Sequence, residues 1–146
     1  MFTLIRELMR TAATQREENN MLNQFPIRPT ISVTDLERAR KFYVEALGLT
    51  SNGEMTTGHL EFEAGGGTGL IVFERKDAPK AENTVASFRV DDLEAVMRQL
   101  RERGVKFEEY DTPELKTDNG VARMGSIKGA WFKDPDGNIL AVSAAA

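Results

Sequence analysis

The chain holds one histidine, His59, and no cysteine. Proton transfer near neutral pH and soft-metal binding therefore rest on a single imidazole or on carboxylates. His59 lies in Gly58-His-Leu-Glu-Phe-Glu63, which alternates with period two and predicts a strand with His59, Glu61 and Glu63 on one face. Two readings stand for it: a half-exposed strand residue beside carboxylates, or an acid or base in a pocket. A cluster of His59, Glu61 and Glu74 is the one grouping in which a divalent cation enters, and Glu74 ends the next strand, Gly69-Leu-Ile-Val-Phe-Glu74. The intervening Ala64-Gly-Gly-Gly-Thr-Gly69 is rich in glycine, yet a phosphate cradle opens a helix and this stretch joins two strands, so a hairpin turn is expected.

The elements that position these residues begin with Ile31-Ser-Val-Thr-Asp-Leu-Glu37, where an alternating strand runs into a helix. Thr34 and Glu37 have the spacing of a capping box. Leu36, Ala39, Phe42, Tyr43, Ala46 and Leu47 form one helical stripe, and Gly48 ends it. The pattern returns 57 positions on, Val33-Thr-Asp-Leu-Glu37 against Val90-Asp-Asp-Leu-Glu94, with Leu93, Val96, Met97 and Leu100 as the stripe and Gly104 as the stop. A strand precedes this second helix (Val85-Ala-Ser-Phe-Arg-Val90). Two more, Gly129-Ala-Trp-Phe-Lys133 and Ile139-Leu-Ala-Val-Ser143, flank the turn Asp134-Pro-Asp-Gly-Asn138, which is taken as structural because Pro-Asp-Gly presets turn torsions. Residues 110–128 carry little pattern, which implies a functional loop or a hidden strand.

Residues 1–24 are expected to form an arm, an amphipathic helix with Phe2, Ile5, Met9 and Ala12 on one side followed by a polar linker at 15–20. Arg6, Glu7 and Arg10 interrupt its apolar run, unlike a signal peptide, and Met21 offers a second start. Residues 25–146 form the domain, as units at about 25–78 and 83–146. A net charge of −4 and a pI near 5.1 disfavour nucleic acid as a partner, and no apolar run reaches the roughly 18 residues of a membrane span. A cytoplasmic location is the expectation.

The repeated units, with Val33-Thr-Asp-Leu-Glu-Arg-Ala, Phe42-Tyr43, Leu47-Gly-Leu49 and Trp131-Phe-Lys-Asp-Pro-Asp-Gly-Asn138, resemble the vicinal oxygen chelate superfamily of glyoxalase I, bleomycin-resistance proteins and extradiol dioxygenases. The resemblance covers about Pro26 to Ser143. It implies an α+β fold, paired βαβββ modules forming an open, incomplete barrel around one pocket, and a homodimer. Catalytic members hold a divalent metal with His, Glu or Gln, His and Glu from four strands. Carried over by spacing, those positions fall on Arg28, Val72, Val85 and Ala141, none of them a ligand.

The resemblance further implies a pocket face with Arg28, Thr30 and Ser32 from the first unit and Val85, Ser87 and Arg89 from the second. Leu70, Val72, Ala141 and Ile139 are expected as apolar walls and Trp131 or Phe132 as an aromatic one, while Ile31, Val33, Ala86, Phe88, Leu140 and Val142 bury under the helices. Arg28 and Arg89 either grip an anionic or carbonyl end of an organic ligand or pair with Glu61 or Glu74. The leading expectation is a metal-independent protein that binds a small organic molecule, with no cofactor. The second is a metal-dependent lyase, isomerase or dioxygenase with displaced ligands. A regulatory module docking through its N-terminal helix is the third. Whether the chain is an enzyme is left open, with His59 as the candidate catalytic residue.

Overall fold

The computed structural model describes residues 1–18 and 21–146. Two sheets of identical topology account for the domain. The first contains β1 (Thr30–Val33), β2 (Thr50–Thr56), β3 (His59–Glu63) and β4 (Gly69–Glu74) in the order β1-β4-β3-β2. The second contains β5 (Thr84–Arg89), β6 (Ala122–Met124), β7 (Ile127–Lys133) and β8 (Ile139–Ala145) in the order β5-β8-β7-β6. In each, the first strand runs parallel to the last and the remaining pairs are antiparallel. A helix crosses over between the first and second strands of each unit: α2 (Leu36–Lys41), and α3 (Leu93–Glu102). The fold is α+β, its sheets do not close into a barrel, and the 57-residue repeat is structural.

Each helix starts on an aspartate whose carboxylate accepts a backbone N–H three residues on. Asp35 caps Arg38 at 3.0 Å and Asp92 caps Ala95 at 3.0 Å. The expected capping box between Thr34 and Glu37 does not form, because Thr34 is drawn away to Asp136 and Glu37 pairs with Arg40 on the surface. Beyond Lys41 the helix widens into a π turn over Phe42–Ala46 and ends at Gly48, whose φ of 75° suits glycine. Both predicted stripes face inward. Tyr43, Leu93, Met97, Leu140, Val33 and Val72 are fully buried in one core that spans both units, where Tyr43 stacks on Phe62 with centroids 5.5 Å apart.

Two strands escaped residue-level reading. β2 is exposed along its whole length and interrupted by bulges, so no alternation marks it. β6 lies inside the weakly patterned segment, entered through an Asn119-Gly120 hairpin turn with φ of 50° and 83°. At the N-terminus α1 (Phe2–Glu18) presents Phe2, Leu4, Leu8 and Met9 to solvent. The expected linker at 15–20 is helical as far as Glu18, and residues 19 and 20 lie outside the described residues. No helix among the described residues is long and apolar enough to cross a membrane.

Candidate functional site

Side-chain alternation gives each sheet one face under its helix and one face free of helices. On the helix-free face of the first sheet, pairing places Thr30 beside Ile71, Ser32 beside Phe73, His59 beside Phe73 and Glu61 beside Ile71. Arg28, just before β1, reaches across to this face. Its Nε lies 3.3 Å from Glu61 Oε1, an ion-pair contact without hydrogen-bond alignment, and its Nη2 donates to Gly67 O at 3.4 Å. Both side chains are about four-fifths buried, so each charge has its partner at hand. His59 stacks on Phe73 at 5.8 Å, and its Nδ1 lies 3.2 Å from Thr57 O. A proton on Nδ1 satisfies that carbonyl and leaves Nε2 as the free acceptor.

Here the structure corrects the sequence reading. Val72 and Leu70 turn into the core under α2, and Ile71 and Phe73 take the helix-free face instead. The continuous apolar run of β4 hides its parity, and only its pairing with the alternating β3 reveals it. Glu74 stands opposite Val33 at the exposed end of β4, so it does not join His59 and Glu61. Among the described residues no group of three His, Asp or Glu side chains is arranged to hold a metal ion. The donor set therefore does not fit the four-ligand centre of the catalytic relatives.

The second sheet follows expectation more closely. Ser87 pairs with Ala141, Arg89 with Ser143 and Trp131 with Ala141 on the helix-free face, while Leu140, Val142, Ala130 and Phe132 turn inward. Phe132 is core; Trp131 lies on the helix-free face, half-buried and edge-on to Tyr110 at 5.8 Å. Burial, then the Glu108 carboxylate, raises the Tyr110 phenol above its ordinary range. Val85 sits at a bulge in the β5–β8 ladder and leans against the core. Ser143, Ile71 and Phe73 are the residues of this face that sequence reasoning missed.

Among the described residues the edges of β1 and β5 carry no ladder to each other. The two junctions of the units, β1 with the β7–β8 turn and β5 with the β3–β4 turn, form a seam whose two ends differ. At one end the β7–β8 turn is clasped onto the first unit. Tyr43 Oη donates to Asp134 Oδ2 at 2.8 Å, Asn138 Nδ2 donates to Ser32 O at 3.0 Å, and Thr34 N donates to Asp136 Oδ1 at 3.1 Å. Asp134 is almost fully buried, and its Oδ1 also accepts the N–H groups of Asp136 and Asn138 at 2.9 Å each. Burial, reinforced by the Asp134 and Asp136 carboxylates, drives the Tyr43 phenol far above the ordinary tyrosine range. At the other end, the glycine-rich turn and β5 are separated by a cleft of about 490 Å³, lined by Ile27, Pro29, Thr68, Leu70, Ser87 and Arg89 among others. A larger cavity of about 610 Å³ lies on the helix side of the second sheet, between α3 and residues 116–123, away from the helix-free faces.

Comparison with known proteins agrees with this architecture. Residues 26–142 match the family model described as Glyoxalase/Bleomycin resistance protein/Dioxygenase superfamily. No curated protein matches. Among solved structures, a glyoxalase family protein from Bacillus anthracis superposes with a TM-score of 0.64 at 16% identity, over 80% of this chain and 91% of that one, a likeness of fold alone. A superfamily member from Sphaerobacter thermophilus DSM 20745 gives 0.63 at 25% identity, over 82% and 96%. TnmS3, an antibiotic binding protein from Streptomyces sp. CB03234, gives 0.57 at 26% identity, over 82% and 96%.

Proposed function

The chain belongs to the Glyoxalase/Bleomycin resistance protein/Dioxygenase superfamily, and from that premise we propose that it binds a small organic molecule on the helix-free face of its paired sheets, without a metal. The observation that carries this reading is the make-up of that face. Arg28, held against Glu61, and Arg89 supply guanidinium groups, Thr30, Ser32, Ser87 and Ser143 supply hydroxyls, and Ile71, Phe73, Trp131 and Ala141 supply apolar surface. Mixed apolar walls with a few fixed polar groups suit an organic ligand with an anionic or carbonyl end. The likeness to TnmS3 supports binding as the task of this architecture.

Ligand capture on this face needs no proton transfer, and His59 then acts as a hydrogen-bond acceptor through Nε2. The functional unit is a homodimer in the cytoplasm.

Two measurements test the reading. Protein purified without chelator is analysed for metals, and less than about one-tenth equivalent of any transition ion is expected; stoichiometric Ni, Zn, Mn or Fe overturns the proposal in favour of a metal-dependent lyase, isomerase or dioxygenase. Fluorescence of Trp131, the one tryptophan of the chain, is then followed against a panel of aromatic carboxylates and antibiotics. Saturable quenching, weakened about tenfold or more by Arg28→Ala, is the expected outcome.

A further inference from the structure

The two ends of the seam are equivalent positions of one repeated unit. Ladder pairing sets Glu61 opposite Ile71 as it sets Trp131 opposite Ala141, so the turn at 134–138 corresponds to the turn at 64–68. Ser32 and Thr34 correspond, 57 positions on, to Arg89 and Asp91. At the clasped end, the outward carbonyl of Ser32 and the N–H of Thr34 receive the Asn138 carboxamide and the Asp136 carboxylate. The corresponding turn residues are Thr68 and Gly66. Glycine has no side chain to offer, and Thr68 spends its hydroxyl on Gly65 O. Among the described residues the edge of β5 is thereby left without the side-chain clasp that covers β1.

The orientation of that edge follows from one bond. Val90 N donates to Ser143 O, which turns the main chain of Phe88 and Val90 toward β8 and that of Ser87 and Arg89 outward into the cleft. Among the described residues no hydrogen bond reaches Ser87 or Arg89 from the open side. The Arg89 guanidinium has no ion-pair partner among them either. Two outward main-chain stations lie about 6.6 Å apart, the two-residue repeat of a strand, with a free cation at one end. The floor beside them is apolar or small: Ile27, Pro29, Ala64, Gly65, Leu70 and Ala86.

We propose that this cleft is a second binding site, which takes a short peptide-like molecule with a free carboxylate. Its amides pair with the β5 edge at Ser87 and Arg89, and its carboxylate rests on the Arg89 guanidinium. The occupant supplies to β5 the same kinds of group, amide and carboxylate, that Asn138 and Asp136 supply to β1, with the carboxylate on a guanidinium in place of a main-chain N–H. The site shares the Arg89 guanidinium with the helix-free face, while its outward main-chain stations at Ser87 and Arg89 and its floor belong to the cleft alone.

The test is an amide-resolved NMR titration of the full chain with acetyl-trialanine, against the same peptide ended by a carboxamide. Shifts confined to residues 64–69 and 86–91, saturating near 10 mM or below, about tenfold weaker for the carboxamide and for Arg89→Gln, are the expected result. Arg89 is exposed, so its replacement leaves the fold intact. Absence of shifts at about 10 mM overturns the proposal, as does equal binding of both peptides. Shifts centred on His59 and Trp131 also overturn it and assign the peptide to the helix-free face. Unchanged binding in Trp131→Ala separates the cleft from that face, and a fall of about tenfold there counts against the cleft.

Discussion

One end of the seam between the units is closed by hydrogen bonds and the other stands open, although both are built from a five-residue turn in the same topology. The difference lies in four residues of that turn, Asp134-Pro-Asp-Gly-Asn138 against Ala64-Gly-Gly-Gly-Thr68 with Gly137 and Gly67 shared, and in one helix position. Tyr43 stands eight residues after the cap Asp35, and Leu100 stands eight after Asp92. A phenol meets a carboxylate at the closed end. At the open end an isobutyl group and a methyl group have nothing directional to exchange. The repeated architecture thus provides two similar junctions, and local side-chain chemistry assigns one to cohesion and leaves the other free for a ligand.

The largest expected effect comes from removing the centre of the clasp. Asp134→Ala strands the donors of Tyr43, Asn138 and Asp136, and is expected to lower unfolding free energy by about 3 to 5 kcal/mol, read from the urea midpoint. Ala64→Gly at the equivalent open position is expected to cost less than about 1 kcal/mol. Equal losses would erase the distinction between the two ends.

Next in size is Gly69→Ala. A Cβ at Gly69 meets Phe62 O at 2.2 Å, backbone against side chain, while the equivalent position of the second unit accommodates Ile139. A loss of about 2 to 3 kcal/mol is expected, and a silent substitution would show that the turn has room to shift toward β5.

Tyr43→Phe removes one hydrogen bond to a charged acceptor, and a loss of about 1.5 to 2 kcal/mol is expected. It also changes the alkaline response. The folded pKa of Tyr43 is raised, so its contribution is complete below the unfolded value near 10 and disappears as pH climbs from there toward the folded value. Thermal melts between about pH 9 and 11 should fall steeply for the parent chain and less steeply for Tyr43→Phe, with a residual slope from the raised Tyr110. Parallel slopes would remove the buried phenol from the account.

The helices, the repeat and the inward face of the second unit were legible in the sequence, because amphipathic stripes and stop glycines are local signals. The caps differ, being Asp35 and Asp92 in place of the expected Thr34–Glu37 box. Leu140 and Val142 alternate visibly with Ala141 and Ser143. Leu70-Ile-Val-Phe73 shows no alternation, so the face occupied by Val72 was decided by pairing alone. Asn119-Gly120 was a readable hairpin signal that leads directly to β6. The clasp was not legible as such. Its turn was recognised, but a contact across 91 residues between Tyr43 and Asp134 leaves no trace in local pattern.

The widened turn at Phe42–Ala46 closes the comparison of the units. Gly48 lies thirteen residues beyond Asp35, whereas Gly104 lies twelve beyond Asp92. The supernumerary residue is absorbed as a loop in the helical backbone, so the strands on either side keep step with those of the other copy. A duplicated scaffold that swallows an insertion within a helix tolerates length drift while its sheets stay commensurate, and excising one residue there should restore a regular coil without disturbing a single ladder.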